Sequence, residues 1–235
     1  HVAALSSPAD CEREPSRAWQ VNASSSIVDA VAAFDPSVRF VLLSTDQVLS
    51  GKDHLVDEAH PAEPINVYGR TKLAMEQLVE SKLPQHAVLR LSFVYGPTVQ
   101  GAHGTFLQFA LDKLRSGTEF TAFTDQVRSA VYVDDVVEAV RLAVEGKVAG
   151  RVNVGGPVAL SRSGFCRVVA ERCGLSPAGM REALSTAAVG SVPSPVDISM
   201  DTSKLAEAFG RQPTSLEEAL AAMGLAEPRA SVAKL

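Results

Sequence analysis

Apolar positions along this chain repeat with two periods, and the two alternate. Short apolar runs bounded by turn residues predict buried strands at 39–44, 87–91, 120–123 and 152–154. Longer stretches with apolar residues three and four apart predict helices at 16–34, 67–82, 105–116, 133–145 and 162–173. The 16–34 helix is expected to turn Trp19, Ile27, Val28 and Val31 to the core. Ser7-Pro8 reads as an N-cap with proline at the first helical position. After Gly174 the pattern weakens, and 201–209 and 215–223 read as short helices. This alternation implies an α/β fold with a largely parallel sheet. Positions 47–64 form a long loop, a kind that is often functional in a compact domain. Positions 96–104 form a second, glycine-containing loop.

Composition narrows the classes. The 235 residues are 46% hydrophobic, enough for one large domain or a domain with a smaller lobe. A net charge of −5 argues against a nucleic-acid partner held by phosphate neutralisation. No apolar stretch approaches the ~18 residues a membrane span needs, and no signal-peptide pattern is read. The three cysteines, Cys11, Cys166 and Cys173, lack zinc-type spacing and fit reduced thiols in a cytoplasmic protein. Ala233-Lys234-Leu235 resembles a peroxisomal address as well as an ordinary frayed tail. Asp134 and Asp135 point in different directions from a helix, so no metal is expected there. They suit the positive end of the 133–145 helix.

The chemistry concentrates in Tyr68-Gly-Arg-Thr-Lys72. The tyrosine and lysine lie four apart at the start of a helix and share one face. Ser44-Thr45-Asp46 ends the strand before it. A phenol is a usable acid at neutral pH, and a nearby ammonium favours the phenolate. Together with a hydroxyl at the strand end, they are the equipment for giving a proton to a carbonyl oxygen while a dinucleotide supplies hydride. The same residues also fit a surface tyrosine, a solvated lysine and a turn-forming Ser-Thr pair. Their order, strand end then helix then strand, favours the chemical reading.

That order, with several further stretches, resembles the extended short-chain dehydrogenase/reductases, and among them the dTDP-4-dehydrorhamnose reductase branch. The stretches are 1–5, Trp19–Asn22, Leu43–Val48, Asn66–Leu73, Arg90–Pro97, Tyr132–Asp135 and Asn153–Gly156. The resemblance implies a Rossmann-type parallel sheet with a small C-terminal substrate-binding lobe. Residues 1–155 would be dinucleotide-binding domain with lobe insertions, 156–225 the lobe, and 226–235 a tail. It implies NADP or NAD as cofactor and a keto group on a nucleotide-linked sugar, or a similar carbonyl, as substrate. Tyr68 would be the acid, Lys72 would bind the ribose and tune Tyr68, and Thr45 would orient the substrate. Ala3 and Ala4 would line the adenine side; Ser92 and Phe93 would lie beside the nicotinamide, and Ser44 would also bind the cofactor. Asp46, Gln47 and Arg128 would border the substrate.

Three departures qualify the resemblance. Gln47 stands where the branch has a tyrosine, and Phe93 where it has a tryptophan. The glycine fingerprint that cradles a pyrophosphate is not in these residues. The first strands of the sheet are therefore expected to precede His1, and the segment alone is expected to bind dinucleotide weakly and expose a strand edge. The same branch includes the non-catalytic subunit that regulates methionine adenosyltransferase. Residues 194–201 and Gln47 lean that way, so a protein partner of that kind is the alternative expectation.

Overall fold

The computed structural model describes residues 1–97, 104–187 and 192–226. Helices α1 (Pro8–Arg13), α2 (Pro15–Asn22) and α3 (Ser26–Phe34) precede strand β1 (Phe40–Thr45). A 3₁₀ turn over Asp46–Val48 and a long loop lead to α4 (Val67–Lys82). Then follow β2 (His86–Leu91), β3 (Val94–Tyr95), α5 (Phe106–Ser116), β4 (Phe120–Phe123), β5 (Val127–Arg128) and β6 (Val131–Tyr132). The rest is α6 (Val133–Val144), β7 (Gly150–Val154), β8 (Leu160–Ser161), α7 (Arg162–Arg172), β9 (Met180–Ala183), α8 (Ser203–Phe209) and α9 (Leu216–Ala222).

The main sheet is parallel, in the order β1-β2-β7, with Ser44 opposite Arg90 and Arg90 opposite Asn153. Its strands are apolar on both faces because helices cover both. Phe40, Leu42 and Val88 pack with Val28 of α3 and with Met75 and Val79 of α4. Val41, Leu43 and Leu89 face the other way, toward Val136, Ala139 and Leu142 of α6 and Leu205 of α8. The free side of β1 is met by His1, whose carbonyl accepts from Leu43 N at 3.1 Å and whose backbone nitrogen donates to Val41 O at 2.6 Å. A second core gathers Leu107 and Leu111 of α5, Phe120 of β4, Phe165 and Val169 of α7 and Leu220 of α9.

The helix expected over 16–34 is two helices, broken at 23–25. The break lies in Asn22-Ala-Ser-Ser-Ser26, where Ser24 Oγ accepts from Ser26 N and draws the backbone out of the helical ladder. The break resets the phase of the buried face. Val28 is fully buried, but Trp19 and Ile27, expected in the core, are 45% and 42% exposed. Asp135 also differs from expectation. It is fully buried, and its carboxylate accepts from Thr214 N at 2.6 Å, Thr214 Oγ1 at 3.1 Å and Arg211 Nη2 at 2.7 Å. It clamps the segment between α8 and α9 onto α6 rather than serving the helix end. Most of the 96–104 loop, and Ala233–Leu235 with nearly all of the 226–235 tail, lie outside the described residues.

Candidate active site

Two chain segments meet at the carboxyl end of β1. Thr45 caps the 3₁₀ turn, its Oγ1 accepting from Gln47 N at 3.2 Å. Asn66 caps α4, its Oδ1 accepting from Gly69 N at 2.8 Å, while its Nδ2 donates to Gln47 Oε1 at 2.7 Å and to Pro193 O at 3.0 Å. The caps interlock, so the first turn of α4 lies directly on the 3₁₀ turn. A Cβ on Gly69 would sit 2.1 Å from Gln47 O, which explains the glycine after Tyr68. From α2, Asn22 Nδ2 donates to Thr71 Oγ1 at 3.0 Å. The same amide clasps Leu5 through its N–H (2.7 Å) and its carbonyl (3.1 Å).

The interlocked turns leave a cleft of about 280 Å³ lined by Ser44, Thr45, Asp46, Gln47, Tyr68, Leu91, Ser92, Phe93 and Val94, together with Ser6 and Pro8. Ala3 is exposed, Ala4 is half-buried, and neither lines it. Burial pushes the Tyr68 phenol up to about 12, with the Thr45 hydroxyl pulling the other way. Tyr68 is therefore a neutral donor across the physiological range. Asp46 is buried; Ser92 Oγ donates to its Oδ2 at 3.1 Å and Thr45 Oγ1 to its Oδ1 at 3.3 Å. Its carboxyl is raised by desolvation, against the pull of Arg128 and Arg162.

Lys72 is placed otherwise than the spacing suggested. Its Nζ donates to Leu43 O at 2.6 Å, it does not line the cleft, and it is not among the groups that move the tyrosine. Burial lowers its own pKa to about 8, opposed by Glu76 one turn on. Its ammonium is committed to one carbonyl of β1, that of Leu43. Arg128 is likewise committed. Its guanidinium donates to the carbonyls of Val127, Val196 and Pro195 at 2.7, 2.8 and 2.7 Å, so it supports the cleft wall rather than lining it.

Three features escaped the sequence. Glu76 and Arg90, both fully buried, form an ion pair at 2.7 Å under the site. Ser44 Oγ donates to the same carboxylate at 2.5 Å, so α4, β1 and β2 are tied at one point. The charged residues at 76 and 90 in otherwise apolar surroundings were the only signal. The third is Arg162 on α7, whose guanidinium stacks on Phe93 at 4.3 Å and on Phe106 at 4.4 Å. Beside it opens a cleft of about 370 Å³ lined by Phe106, Phe109, Ala122, Phe123 and Gln126.

A parallel sheet sandwiched by helices, with a phenol and hydroxyls converging at the strand ends, defines a Rossmann-type protein of the short-chain dehydrogenase/reductase class. Within that class the chain belongs to the RmlD substrate binding domain family, whose model matches residues 1–227. It is 31% identical over 166 residues to a probable low-salt glycan biosynthesis reductase of Haloferax volcanii, covering 70% of this chain and 55% of the relative. It is 34% identical over 172 residues to a dTDP-4-dehydrorhamnose reductase of Mycobacterium tuberculosis, with the same coverage. The chain thus spans about half the length of the curated relatives it matches. The crystal structure of a dTDP-4-dehydrorhamnose reductase from Bacillus anthracis in complex with NADP superposes with a TM-score of 0.81 at 22% identity, covering 94% of this chain and 79% of that one.

Proposed function

We propose that the chain carries the proton-donating and substrate-binding part of an NAD(P)H-dependent reductase of a keto group on a nucleotide-linked sugar, as in dTDP-4-dehydrorhamnose reductases. The observation that carries this reading is the single cleft holding Tyr68, Thr45 and Ser92 together. The names of the relatives support the reductase class, and the NADP-bound neighbour supports the cofactor. The alternative, a regulatory subunit docking on a methionine adenosyltransferase-like partner, gains no support from these relatives.

The residues present fit the nicotinamide end of a dinucleotide. The cleft is walled by the apolar Leu91 and Phe93 and offers hydroxyls from Tyr68, Thr45 and Ser92. A reduced nicotinamide would supply hydride to the carbonyl carbon. Tyr68 Oη gives its proton to the carbonyl oxygen. A developing alkoxide is a much stronger base than a phenolate, so the transfer runs downhill even from a phenol near 12. Thr45, its Oγ1 oriented by the Gln47 N–H and by Asp46, steadies the Tyr68 phenol beside the carbonyl. Asp46 and Gln47 border the substrate, and Leu91 and Phe93 keep water from the reacting carbon.

The test is Tyr68→Phe in the complete protein, assayed with NADPH and dTDP-4-dehydrorhamnose. The expected loss is about 10²–10⁴-fold in kcat with the fold retained. Turnover that survives the change undiminished overturns the role given to Tyr68.

A further inference from the structure

Among the described residues, Arg162 is a cation without a counter-ion in contact. Its guanidinium has no hydrogen bond and no ion pair with any described residue; its contacts are the two phenylalanine rings. The rings are themselves edge to face, 5.7 Å between centroids, so the guanidinium rests in the corner they form. Its backbone N–H is spent on Gln126 O at 3.1 Å, which anchors the start of α7 to the cleft wall. Burial and the charge of Arg128 push its pKa down to about 10, with Asp46 opposing. A charge held at such a cost is stabilised by any anion that reaches it.

Its position joins two spaces. Phe93 lines the cleft of Tyr68, and Phe106 lines the 370 Å³ cleft with Phe109, Ala122 and Phe123. Arg162 lines that second cleft and rests on Phe93 of the first, so it stands between the Tyr68 hydroxyl and the phenylalanines of the apolar cleft. The arginine that the motif resemblance pointed to, Arg128, has its donors taken by three carbonyls.

We infer that Arg162 is the specificity-determining anion receptor of this site, selecting substrates that carry a negative group between the reducible carbonyl and an apolar ring. The inference rests on the reading of the Tyr68 cleft given above and names the residue behind its substrate class. Two sources supply such a group: the diphosphate of a nucleotide-linked sugar, or a carboxylate on the sugar itself. The favoured source is the diphosphate, because the apolar cleft beside Arg162 has room for a nucleobase.

The experiment is calorimetric binding of dTDP, thymidine and glucuronic acid to the full chain, without dinucleotide. The variants are Arg162→Gln and Arg162→Met, the latter keeping apolar bulk against the two rings. The expected result is dTDP binding weakened about 10-fold or more in both variants, with thymidine binding unchanged as the control for an intact cleft. Glucuronic acid binding that alone depends on Arg162 would keep the receptor and move its anion to the sugar. Equal dTDP and glucuronic acid affinity in wild type and both variants, or no binding of either anion by wild type, overturns the inference. Because no turnover is involved, Arg162-dependent dTDP binding in a protein that reduces nothing would sink the reductase reading and leave only the anion receptor standing.

Discussion

At the scale of single residues, burial rather than sequence spacing sets the charges of the site. Tyr68 and Lys72 are four apart, yet the ammonium turns to Leu43 O. With its pKa near 8, Lys72 sheds its proton in the folded chain well before it would in the unfolded one. Between about pH 8 and the ordinary lysine value the unfolded chain binds the extra proton. Stability from this group therefore rises with pH through that window and is lost as the pH falls through 8. The expected outcome is a Lys72 side-chain NMR titration with its midpoint near 8. Urea midpoints should rise from pH 8 to 10 in wild type relative to Lys72→Met; a midpoint at the ordinary lysine value would refute this. The residue types at 44–46 and at 68 were legible in the sequence because strand ends and helix starts have local signatures. The partners of Lys72 and Arg128 were not, because each is a carbonyl contributed by the fold.

At the scale of elements, α4 was read in full, and its cap shows why. Asn66 satisfies the first turn within three residues, so the signal is contained in the sequence. The 16–34 helix was misread because serine hydroxyls compete for its backbone, an effect that apolar periodicity does not register. Strand β9, only four residues long, pairs with β4 from sixty residues away and has no local pattern strong enough to read. What fastens α4 to the sheet is the Glu76–Arg90–Ser44 knot. Taking one partner out of a buried pair leaves a bare charge, so Glu76→Ala should cost about 3–5 kcal/mol in denaturant unfolding. The double change Glu76→Leu with Arg90→Met should cost less than Glu76→Ala alone. A double variant as unstable as the single would mean the knot acts through shape and not through charge.

At the scale of the whole molecule, the two cores are held in register by a few long-range ties. Asp135 is one, reaching from α6 on the main sheet to Arg211 and Thr214 just before α9 in the second core. Asp135→Ala strips the N–H of Thr214 of its acceptor. The expected outcome is faster amide exchange and earlier protease cleavage at 210–215, with the main sheet unaffected. Uniform loosening of both cores would show that the clamp is not local. Arg162 belongs to this scale too, since its two rings come from a strand end and a helix more than fifty positions earlier.

The sequence by itself determined the alternating α/β order, the bounds of α4 and the place of Tyr68 in its first turn. Each follows from forces that act over a turn of helix or a pair of strand residues: periodic burial, capping, and the chemistry of a side chain. Only the tertiary structure decided which charges are spent and which are free. Arg128 and Lys72 bind carbonyls, Glu76 binds Arg90, and Arg162 is left facing an apolar cleft. That division depends on desolvation and on distances between segments far apart in the chain, and no local pattern encodes either.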